Sequence, residues 1–415
     1  MVAKKYRVAV LAWEKPSRDH ASTGSGVYLG YLGELGKLSK ERGNGIDLTF
    51  IVPWEEDLFL KMNGYKILFL KIRRFSRARP YGRDVLYPAC RNLTDRLLGD
   101  RFPIDLKRFD LIFASGYAFG NFISKAQYLE NLVYVSHSPE FLRGSIARRR
   151  KFFGGSDEYL DRFRRNAELE ALALKGSKQV ITVSKACKRE LTRHYRLGQN
   201  KVSVIYNGVD TSLFRRVPLR RSRDKTIFTY VGRAHPEKGT SLLLQSTKEL
   251  MTRDPKKDFE LQMVTDGGSS LQRVVKRVGL TGHTRLMRWR GYQRLPRHYS
   301  AATFSIMPSY WDSFSYSVAE SLSCETPVIA SSSGGLPEIV DDEVGLLFQA
   351  GDKEDLIVQL EKACDFPLER VMEMGRHGRR RIQSLFSRER FLTNYMRFIE
   401  QNMKGNFTQS SLAED

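Results

Sequence analysis

The stretch "TFSIMPSYWDSFSYSVAESLSCETPVIASS" (303–332) contains, in order, a predicted strand, a loop, a helix and a second strand. The apolar run 303–309 is typical of a buried strand, and Pro308 breaks it. Residues 316–324 then follow helical spacing, and the next apolar run, 326–332, is again strand-like. Strands that are apolar on both faces and alternate with helices predict a parallel sheet with helices covering both sides.

The same alternation of apolar strands and helices occurs in both halves of the 415-residue chain. In the N-terminal half the predicted strands are 6–13, 46–53, 110–116, 131–137, 179–184 and 201–207. In the C-terminal half they are 226–233, 259–268, 285–291, 303–309, 326–332 and 345–348. We therefore predict an α/β protein built from two doubly wound, Rossmann-like units.

A polar, basic stretch at 215–225 separates the two sets of strands and indicates a domain boundary. We predict an N-terminal domain over 1–212 and a C-terminal domain over 213–386. The amphipathic pattern in 387–403 predicts one long final helix, and the polar residues 404–415 are expected to form a flexible tail.

The composition is that of an ordinary globular protein except for its charge. Lys and Arg number 69 against 47 Asp and Glu, which gives a net charge of +22 at pH 7. Such an excess suits an anionic partner: nucleic acid, an acidic membrane face or a phosphorylated small molecule. The four cysteines lack CxxC spacing, which fits a reducing cytosol better than a disulfide framework or a zinc site. We expect neither a secretory signal peptide nor a membrane-spanning helix.

Ligands of open α/β sheets bind where strands end and helices begin, so polar residues at those points are candidates. Gly24 and Ser25 belong to a glycine-rich turn after the first strand, where the backbone can approach a phosphate. A tight turn without a ligand explains the glycines equally well. His137 ends an apolar strand and is expected to face the ligand crevice, and the alternative is a histidine that is merely hydrogen-bonded.

Two cations follow the first strand of the C-terminal unit. Arg233 and Lys238 flank a turn just before a predicted helix. Such an arrangement suits a diphosphate, with arginine as a two-pronged donor and lysine as a point charge. A solvated basic loop is the alternative. Asp266 and Gly267 hold the same position after the next strand, where a simple turn would also explain them.

Two carboxylates frame the loop and helix of the opening stretch. Asp312 precedes the predicted helix and can accept hydrogen bonds from sugar hydroxyls, whereas Glu320 lies inside the helix. The N–H groups of residues 313–316 are exposed at the helix start and suit an anion. Alternatively, Asp312 or Ser313 caps the helix, and Glu320 forms a salt bridge on the helix surface.

Taken in order, these motifs resemble those of the retaining glycosyltransferases of family 4. The motifs are "SKACKRELTRHY" and "KVSVIYNGVDTSLF" within 184–214, "YVGRAHPEKG" (230–239), "MPSYWDSFSYSVAESLSCETPVIASSSGGLPEIV" (307–340) and "VGLLF" (344–348). The resemblance covers 180–400 well and the N-terminal unit more loosely. It implies a GT-B fold, in which two Rossmann-like domains face a central cleft and the final helix crosses back to the N-terminal domain.

The resemblance also implies roles for individual residues. Arg233 and Lys238 would hold the diphosphate of a nucleotide-sugar. Glu320 would bind the ribose, Asp312 would bind hydroxyls of the donor sugar, and His137 would contact that sugar near its anomeric carbon. The implied catalytic residues are His137, Arg233, Lys238 and Asp312. The implied donor-binding residues are Gly24, Ser25, Arg233, Lys238, Asp266, Gly267, Gly291, Tyr292, Asp312, Ser313, Phe314, Ser315, Tyr316 and Glu320.

The other residues that the resemblance implies for donor binding would contact the phosphates or the nucleotide base. Residues 24–25 would close over the phosphates, the backbone of 315–316 would help to hold the phosphate, and 291–292 would rest against the base. This chain has Asp312 where the family has glutamate, and serines at 313 and 315 where glycines are usual. These departures bear on the identity of the donor sugar more than on activity.

The implied reaction moves a sugar, with retention at the anomeric carbon, from a nucleotide-diphosphate sugar to a hydroxyl of a glycan or lipid-linked acceptor. It would serve cell-surface polysaccharide or glycolipid synthesis. Fixed cations and helix N–H groups would stabilise the departing diphosphate without a metal or another cofactor. Within the same fold, a nucleotide-sugar epimerase is the alternative. From a different class, the chain would be a basic, non-catalytic protein that binds membranes or nucleic acid, although nucleic acid is not the expected partner.

Two stretches of the N-terminal unit, 65–83 and 141–155, interleave aromatic and basic residues. We predict that they form an acceptor-side patch, which attaches a cytoplasmic protein peripherally to the anionic inner face of the cell membrane. The residues predicted for this patch are Arg73, Arg74, Arg77, Arg143, Arg148, Arg149, Arg150 and Lys151. A basic surface without such a role is the alternative.

Overall fold

The structure, a computed structural model, describes residues 5–13, 24–41, 45–54, 58–62, 64–71, 94–95, 97–98, 105–152, 157–219, 221–222, 225–288 and 291–403. The chain forms two compact units. One comprises the described residues up to Tyr206 together with those from Phe391 onward, and the other comprises Asn207–Arg390. No helix in these ranges is long and apolar enough to cross a membrane.

The first unit is built around an eight-stranded sheet. Its strands are β1 (Lys5–Leu11), β2 (Gly45–Trp54), β3 (Leu58–Lys61), β4 (Tyr65–Lys71), β5 (Leu111–Ser115), β6 (Leu132–Ser136), β7 (Gln179–Thr182) and β8 (Val202–Val204). The order across the sheet is β3-β4-β2-β1-β5-β6-β7-β8, and neighbours are parallel except for the antiparallel pair β3 and β4. The helices that follow these strands are α1 (Gly24–Glu41), α2 (Gly120–Lys125), α3 (Glu140–Arg149), α4 (Asp157–Gly176) and α5 (Lys185–Tyr195).

The second unit contains a six-stranded parallel sheet in the order β11-β10-β9-β12-β13-β14. Its strands are β9 (Thr226–Val231), β10 (Phe259–Thr265), β11 (Thr284–Arg288), β12 (Phe304–Met307), β13 (Val328–Ser331) and β14 (Gly345–Phe348). Its helices are α6 (Thr240–Arg253), α7 (Gly268–Val278), α8 (Leu295–Ala301), α9 (Tyr316–Ser323), α10 (Leu336–Ile339), α11 (Lys353–Asp365) and α12 (Leu368–Leu385). The chain winds outward from β9 to β11 and then returns to β12 beside β9, which is the doubly wound order.

The final helix, α13 (Arg388–Met403), packs on the first unit through aromatic residues. The Tyr395 hydroxyl donates a hydrogen bond to the Tyr28 hydroxyl at 3.1 Å. The Phe391 ring meets Tyr31 with ring centroids 6.0 Å apart, and both Phe391 and Tyr395 are buried. This burial explains the amphipathic pattern of 387–403, because the apolar stripe of the helix is the part that is buried.

The α/β fold predicted from the sequence is confirmed, but one pair of strands was missed. Residues 65–71, which the sequence analysis includes in a basic stretch, form β4 and pair with β2. Ile67, Leu68 and Phe69 are buried, so the short apolar run within this stretch sets its structure. The basic residues on either side conceal that run in the sequence. β3 is exposed along its whole length at the sheet edge, and such an edge strand has no buried face to produce a periodic pattern.

Two glycines lie against backbone carbonyls of the loop after β12. Gly239 has φ +68° and lies against the carbonyl oxygen of Pro308, where an added Cβ would sit 1.9 Å from that oxygen. Gly334 has φ +57° and lies against the carbonyl oxygen of Asp312, where an added Cβ would sit 2.1 Å away. Both positions require a left-handed backbone and the absence of a side chain. The path of the chain from Pro308 to Asp312 therefore depends on these two glycines.

We expect Gly334→Ala to lower the free energy of unfolding more than Gly279→Ala does. Gly279 also has a positive φ, +82°, but nothing lies within 4 Å of the position of its added Cβ. The left-handed backbone alone costs about 1–2 kcal/mol for a residue with a side chain, and the clash at Gly334 adds about 1–3 kcal/mol. Urea unfolding of the two variants measures the difference. Equal losses of stability would show that the contact with the Asp312 carbonyl does not constrain the loop.

Candidate functional site

The direction of winding in the second sheet reverses between β9 and β12, which lie side by side. In doubly wound sheets, ligands bind at this switch point, in the crevice outside the carboxyl ends of the strands. The segments that follow β9 and β12 are 232–239 and 308–315. They contain both predicted phosphate-binding cations and the first predicted carboxylate, so residues distant in sequence meet at one edge of the sheet.

Lys238 and Asp312 form an ion pair at this edge, with 2.7 Å between Nζ and Oδ2. Asp312 is buried, and the Ser309 hydroxyl donates to the same Oδ2 at 3.4 Å. The sequence motifs predict separate roles for the two residues, whereas the structure joins them directly. An ammonium group has three N–H donors, so Lys238 can bind Asp312 and still face an anion.

Hydrogen bonds to its backbone hold the loop after β9. The buried Tyr230 donates its hydroxyl to the carbonyl of Arg233 at 2.6 Å. The backbone N–H of Ala234 donates to Asp266 Oδ1 at 3.0 Å, and Gly267 lies so close that an added Cβ would be 2.7 Å from the Cβ of Ala234. Asp266 and Gly267 thus meet the loop that carries the cations, while the Arg233 side chain is exposed.

The loop after β12 is fastened to the neighbouring strand end by serine hydroxyls. The carbonyl of Ser309 accepts hydrogen bonds from Ser331 Oγ at 2.6 Å and from Ser333 Oγ at 3.2 Å. The backbone N–H of Gly335 donates to the carbonyl of Asp312 at 2.8 Å. Since a loop cannot satisfy its polar groups through a strand ladder, these bonds do so and fix the position of the Asp312 side chain.

Helix α9 begins after Ser315, whose side chain makes no capping hydrogen bond. Asp312 and Ser313 lie before this position, so the alternative in which either residue caps the helix is wrong. Ser313, Phe314 and Ser315 are buried. The first N–H groups of a helix carry partial positive charge, and here they follow directly on the loop that contains Asp312.

Glu320 is buried within α9 and accepts hydrogen bonds from two tyrosines. Tyr292 donates to Oε1 at 2.8 Å and Tyr299 donates to Oε2 at 2.9 Å. Burial raises the pKa of Glu320 to about 7, and the two tyrosine hydrogen bonds offset part of the increase. The alternative in which Glu320 is a salt-bridged surface residue is therefore wrong. Each carboxylate oxygen has a second lone pair, which leaves Glu320 able to accept one more bond on each side.

The two tyrosines connect Glu320 to the segment between β11 and β12. Gly291, with φ +100°, precedes Tyr292, whose ring packs edge-on against Phe214 with centroids 4.8 Å apart. Tyr292 is predicted to contact the nucleotide base, and its hydroxyl donates a hydrogen bond to Glu320. Tyr299 is not predicted from the sequence, because within α8 it looks like any buried aromatic residue. Only its contact with Glu320 marks it as part of this cluster.

In the first unit, His137 lies immediately after the end of β6. Its Nε2 is 2.9 Å from the Ser115 hydroxyl at the end of β5, and the Tyr28 ring meets it edge-on with centroids 4.6 Å apart. Burial lowers the pKa of His137 to about 4, so the imidazole is neutral at pH 7. Gly24 and Ser25 form the start of α1 itself, rather than a turn that precedes the helix.

The predicted basic patch is only partly described. Arg148, Arg149, Arg150 and Lys151, at and after the end of α3, are exposed. Arg143 instead points inward: its Nη1 is 2.9 Å from Glu140 Oε1, and its guanidinium lies over the Phe163 ring at 5.0 Å. Arg73, Arg74 and Arg77 lie outside the described residues. In the part of the chain that is described, no group of three or more His, Cys, Asp or Glu is arranged to hold a metal ion.

Comparison with known families finds two matches that together span most of residues 38–365. The model for Glycosyltransferase Family 4 matches residues 38–213, and the model for Glycosyl transferases group 1 matches residues 225–365. A D-inositol 3-phosphate glycosyltransferase from Catenulispora acidiphila is 31% identical over 206 residues, or 46% of this chain and 48% of that protein. The corresponding enzyme from Saccharomonospora viridis is 34% identical over 183 residues, or 40% and 42%. The chain thus spans about half the length of the curated relatives it matches.

Solved structures match almost the whole chain at low sequence identity. A sucrose-phosphate synthase from Thermosynechococcus elongatus has a TM-score of 0.78 at 20% identity, covering 97% of this chain and 100% of that one. Anabaena HepE, in complex with UDP and glucose, has a TM-score of 0.64 at 16% identity, covering 95% and 100%. These similarities confirm the predicted GT-B fold.

We expect the stability of the protein to respond to pH through Glu320. A carboxyl whose pKa is higher in the folded state stabilises the fold fully below its unfolded value of 4.5, and this contribution is lost as pH rises through about 7. Glu320→Gln removes the proton equilibrium, so the variant does not lose stability through this group as pH rises. Relative to the wild type, its free energy of unfolding should therefore rise by about 2–3 kcal/mol between pH 5 and pH 8. Urea unfolding at both pH values measures the change.

Glu369→Gln, at an exposed position of α12, is the control for the loss of one carboxylate. It should follow the wild type at both pH values. A constant difference between Glu320→Gln and the wild type would show that Glu320 does not gain a proton on folding.

Proposed function

The chain belongs to glycosyltransferase family 4, and we propose that it transfers a sugar from a nucleotide-diphosphate sugar to a hydroxyl group of an acceptor. The observation that carries the proposal is the Lys238–Asp312 pair at the carboxyl ends of β9 and β12, with the exposed Arg233 on the same loop as Lys238. Cations suit a diphosphate, and a carboxylate suits sugar hydroxyls. The names of the curated relatives support glycosyl transfer, and the UDP and glucose in the HepE complex support a nucleotide-sugar as donor.

In the proposed reaction, the bond between the anomeric carbon and the phosphate oxygen breaks, and its electron pair leaves with the nucleoside diphosphate. The acceptor hydroxyl oxygen forms the new bond to that carbon, and its proton passes to the leaving phosphate oxygen. Arg233, Lys238 and the N–H groups at the start of α9 would stabilise the charge that develops on the phosphate. This arrangement requires no separate protein base, and with attack from the face of the leaving group it retains the configuration at the anomeric carbon.

The ion pair explains how one small site can hold two unlike parts of the donor. Asp312 keeps Lys238 at the site before a donor arrives, because the buried carboxylate needs a partner. When the diphosphate binds, the ammonium can turn a donor toward it, and Asp312 becomes able to accept from a sugar hydroxyl. Aspartate is one methylene shorter than the glutamate usual at this position, so we propose that the sugar sits closer to the loop.

Glu320 and His137 are proposed to act at the two ends of the donor. Glu320, held in place by Tyr292 and Tyr299, would accept hydrogen bonds from the ribose hydroxyls. His137 is neutral and hydrogen-bonded to Ser115, so it would orient the donor sugar and polarise its hydroxyls rather than take up a proton.

The proposed acceptor is a glycan or a lipid-linked glycan at the inner face of the cell membrane, in polysaccharide or glycolipid synthesis. The net charge of +22 and the exposed run Arg148–Lys151 support attachment to an anionic surface.

A donor nucleotide should raise the melting temperature of the protein, because it binds the folded state alone. At a concentration of 100 Kd, the stabilisation is about 2.7 kcal/mol. A thermal-shift screen with UDP, GDP, ADP and their sugar derivatives identifies the nucleotide. Lys238→Ala should lose this shift and should release nucleoside diphosphate from the donor about 10²–10³-fold more slowly than the wild type.

Lys248→Ala, at an exposed position of α6, is the matched control and should keep both the shift and the turnover. Circular dichroism confirms that each variant is folded. Turnover near that of the wild type in Lys238→Ala would exclude the proposed role of the lysine. The absence of both a shift and turnover in the wild type, for every nucleotide, would exclude the transferase itself.

The membrane proposal is tested by sedimentation with liposomes. The protein should sediment with vesicles that contain acidic lipid at low salt, and less at moderate salt, because salt screens exposed charges. Replacing Arg148, Arg149, Arg150 and Lys151 by serine should weaken binding by about 1 kcal/mol for each charge. Equal sedimentation with neutral vesicles would contradict electrostatic attachment.

A further inference from the structure

A buried glutamate fastens both ends of the turn that carries His137. Glu170 lies on α4 and is 0% exposed. Its Oε1 accepts a hydrogen bond from the Ser136 hydroxyl at 3.1 Å, and its Oε2 accepts one from the backbone N–H of Glu140 at 2.8 Å. Ser136 precedes His137 and Glu140 follows it, so a single carboxylate spans the turn.

Further contacts hold this carboxylate and the far end of the turn. Tyr195, the last residue of α5, donates its hydroxyl to Glu170 Oε2 at 3.2 Å. The side chain of Glu140 is a second buried carboxylate, and it accepts from Asn166 Nδ2 at 3.0 Å and from Arg143 Nη1 at 2.9 Å. Asn166 and Glu170 lie one helical turn apart on α4. The turn is therefore tied to that helix through both the backbone and the side chain of Glu140.

Placing two acids in one buried cluster is unfavourable. Burial raises the pKa of Glu170 to about 8, and the neighbouring charge of Glu140 adds to the increase. Tyr134 and Tyr195 also face this charge, and the cation in the cluster is Arg143, which bonds to Glu140. An apolar side chain could fill the same space without the desolvation penalty. It could not join the two ends of the turn, because that requires a side chain with two hydrogen-bonding atoms.

The imidazole of His137 depends on where this turn runs. Its Nε2 must stay 2.9 Å from the Ser115 hydroxyl, and its ring must stay against the edge of Tyr28. Both of these partners belong to other elements, β5 and α1. A shift of the turn relative to α4 would break the contact with Ser115 and admit water to the ring.

We propose that Glu170 is a positioning residue for His137, which sets the place and the hydration of the imidazole by spanning the turn from Ser136 to Glu140. The importance of this positioning for sugar transfer rests on the proposed function. The positioning itself is a property of the first unit and can be measured without any turnover.

The direct test is a pH titration of the histidine carbon resonances by NMR, with His137→Gln used to assign the signal. In the wild type, His137 should titrate well below the ordinary histidine pKa of 6.5, because its surroundings exclude water. Glu170→Ala should move the titration toward 6.5. Glu170→Gln should leave it in place, since the amide can accept from the Glu140 N–H and donate to the Ser136 hydroxyl.

Glu168→Ala, at an exposed position of the same helix, is the matched control and should leave the His137 titration unchanged. A folded Glu170→Ala variant in which His137 titrates as in the wild type would overturn the proposal. If Glu170→Ala does not fold, Ser136→Ala and Tyr195→Phe each remove one hydrogen bond to Glu170. A shifted titration in Ser136→Ala but not in Tyr195→Phe supports the proposal, because only Ser136 belongs to the turn, and any other pattern overturns it.

A double-mutant cycle tests the link to sugar transfer. If Glu170 acts through His137, Glu170→Ala should slow turnover about 10–100-fold in the wild type and hardly at all in the His137→Ala background. Losses that multiply in the double variant would show that Glu170 acts independently of His137. Failure of the wild type to turn over any donor would count against the proposed function alone, because the NMR titration would still decide the positioning.

Discussion

Two backbone carbonyls of the loop between β12 and α9 each pack against a glycine, and the candidate site of the second unit depends on these two contacts. Gly239 lies against the carbonyl of Pro308, and Gly334 lies against that of Asp312. Parallel strands end at this edge, so the loop cannot pair its polar groups with a neighbouring strand. Serine hydroxyls and one backbone N–H satisfy them instead. With the backbone fixed in this way, the Asp312 carboxylate has a defined direction, and that direction is toward Lys238.

One buried carboxylate in each unit is held by hydroxyl or backbone N–H donors that lie far away in the sequence. Glu320 is held by two tyrosine hydroxyls, and Glu170 by a serine, a tyrosine and a backbone N–H. Neutral donors of this kind satisfy the oxygens without a buried ion pair. The pKa of each carboxyl is raised by burial, so each is close to the point at which it gains or loses a proton near neutral pH. Glu320 is itself proposed to bind the donor, whereas Glu170 holds the turn that carries His137.

The sequence was sufficient for the fold and for much of the candidate site, since both follow from local patterns. Apolar runs that end in polar residues predicted nearly all strands, and in an open α/β sheet those ends are where ligands bind. This places His137, Lys238 and Asp312 without any knowledge of contacts. The β3–β4 pair was missed because the apolar run of β4 lies within a basic stretch and because β3 is exposed along its whole length. Tyr299 and Glu170 were missed because a buried tyrosine and a helical glutamate have no local pattern that reveals their partners.

The order of strands and helices, the excess of positive charge, the family and the residues at the carboxyl ends of the strands therefore follow from the amino-acid sequence. Each of these can be read from the periodicity of apolar residues, from a short motif or from the amino-acid composition. The folded chain was needed to show that Lys238 pairs with Asp312, that two tyrosines hold Glu320, and that Glu170 spans the turn around His137. These contacts join residues from 21 to 74 positions apart, or bring a side chain to a backbone N–H on another element. Such partners are close in the folded structure but distant in the sequence, so a local sequence pattern does not reveal them.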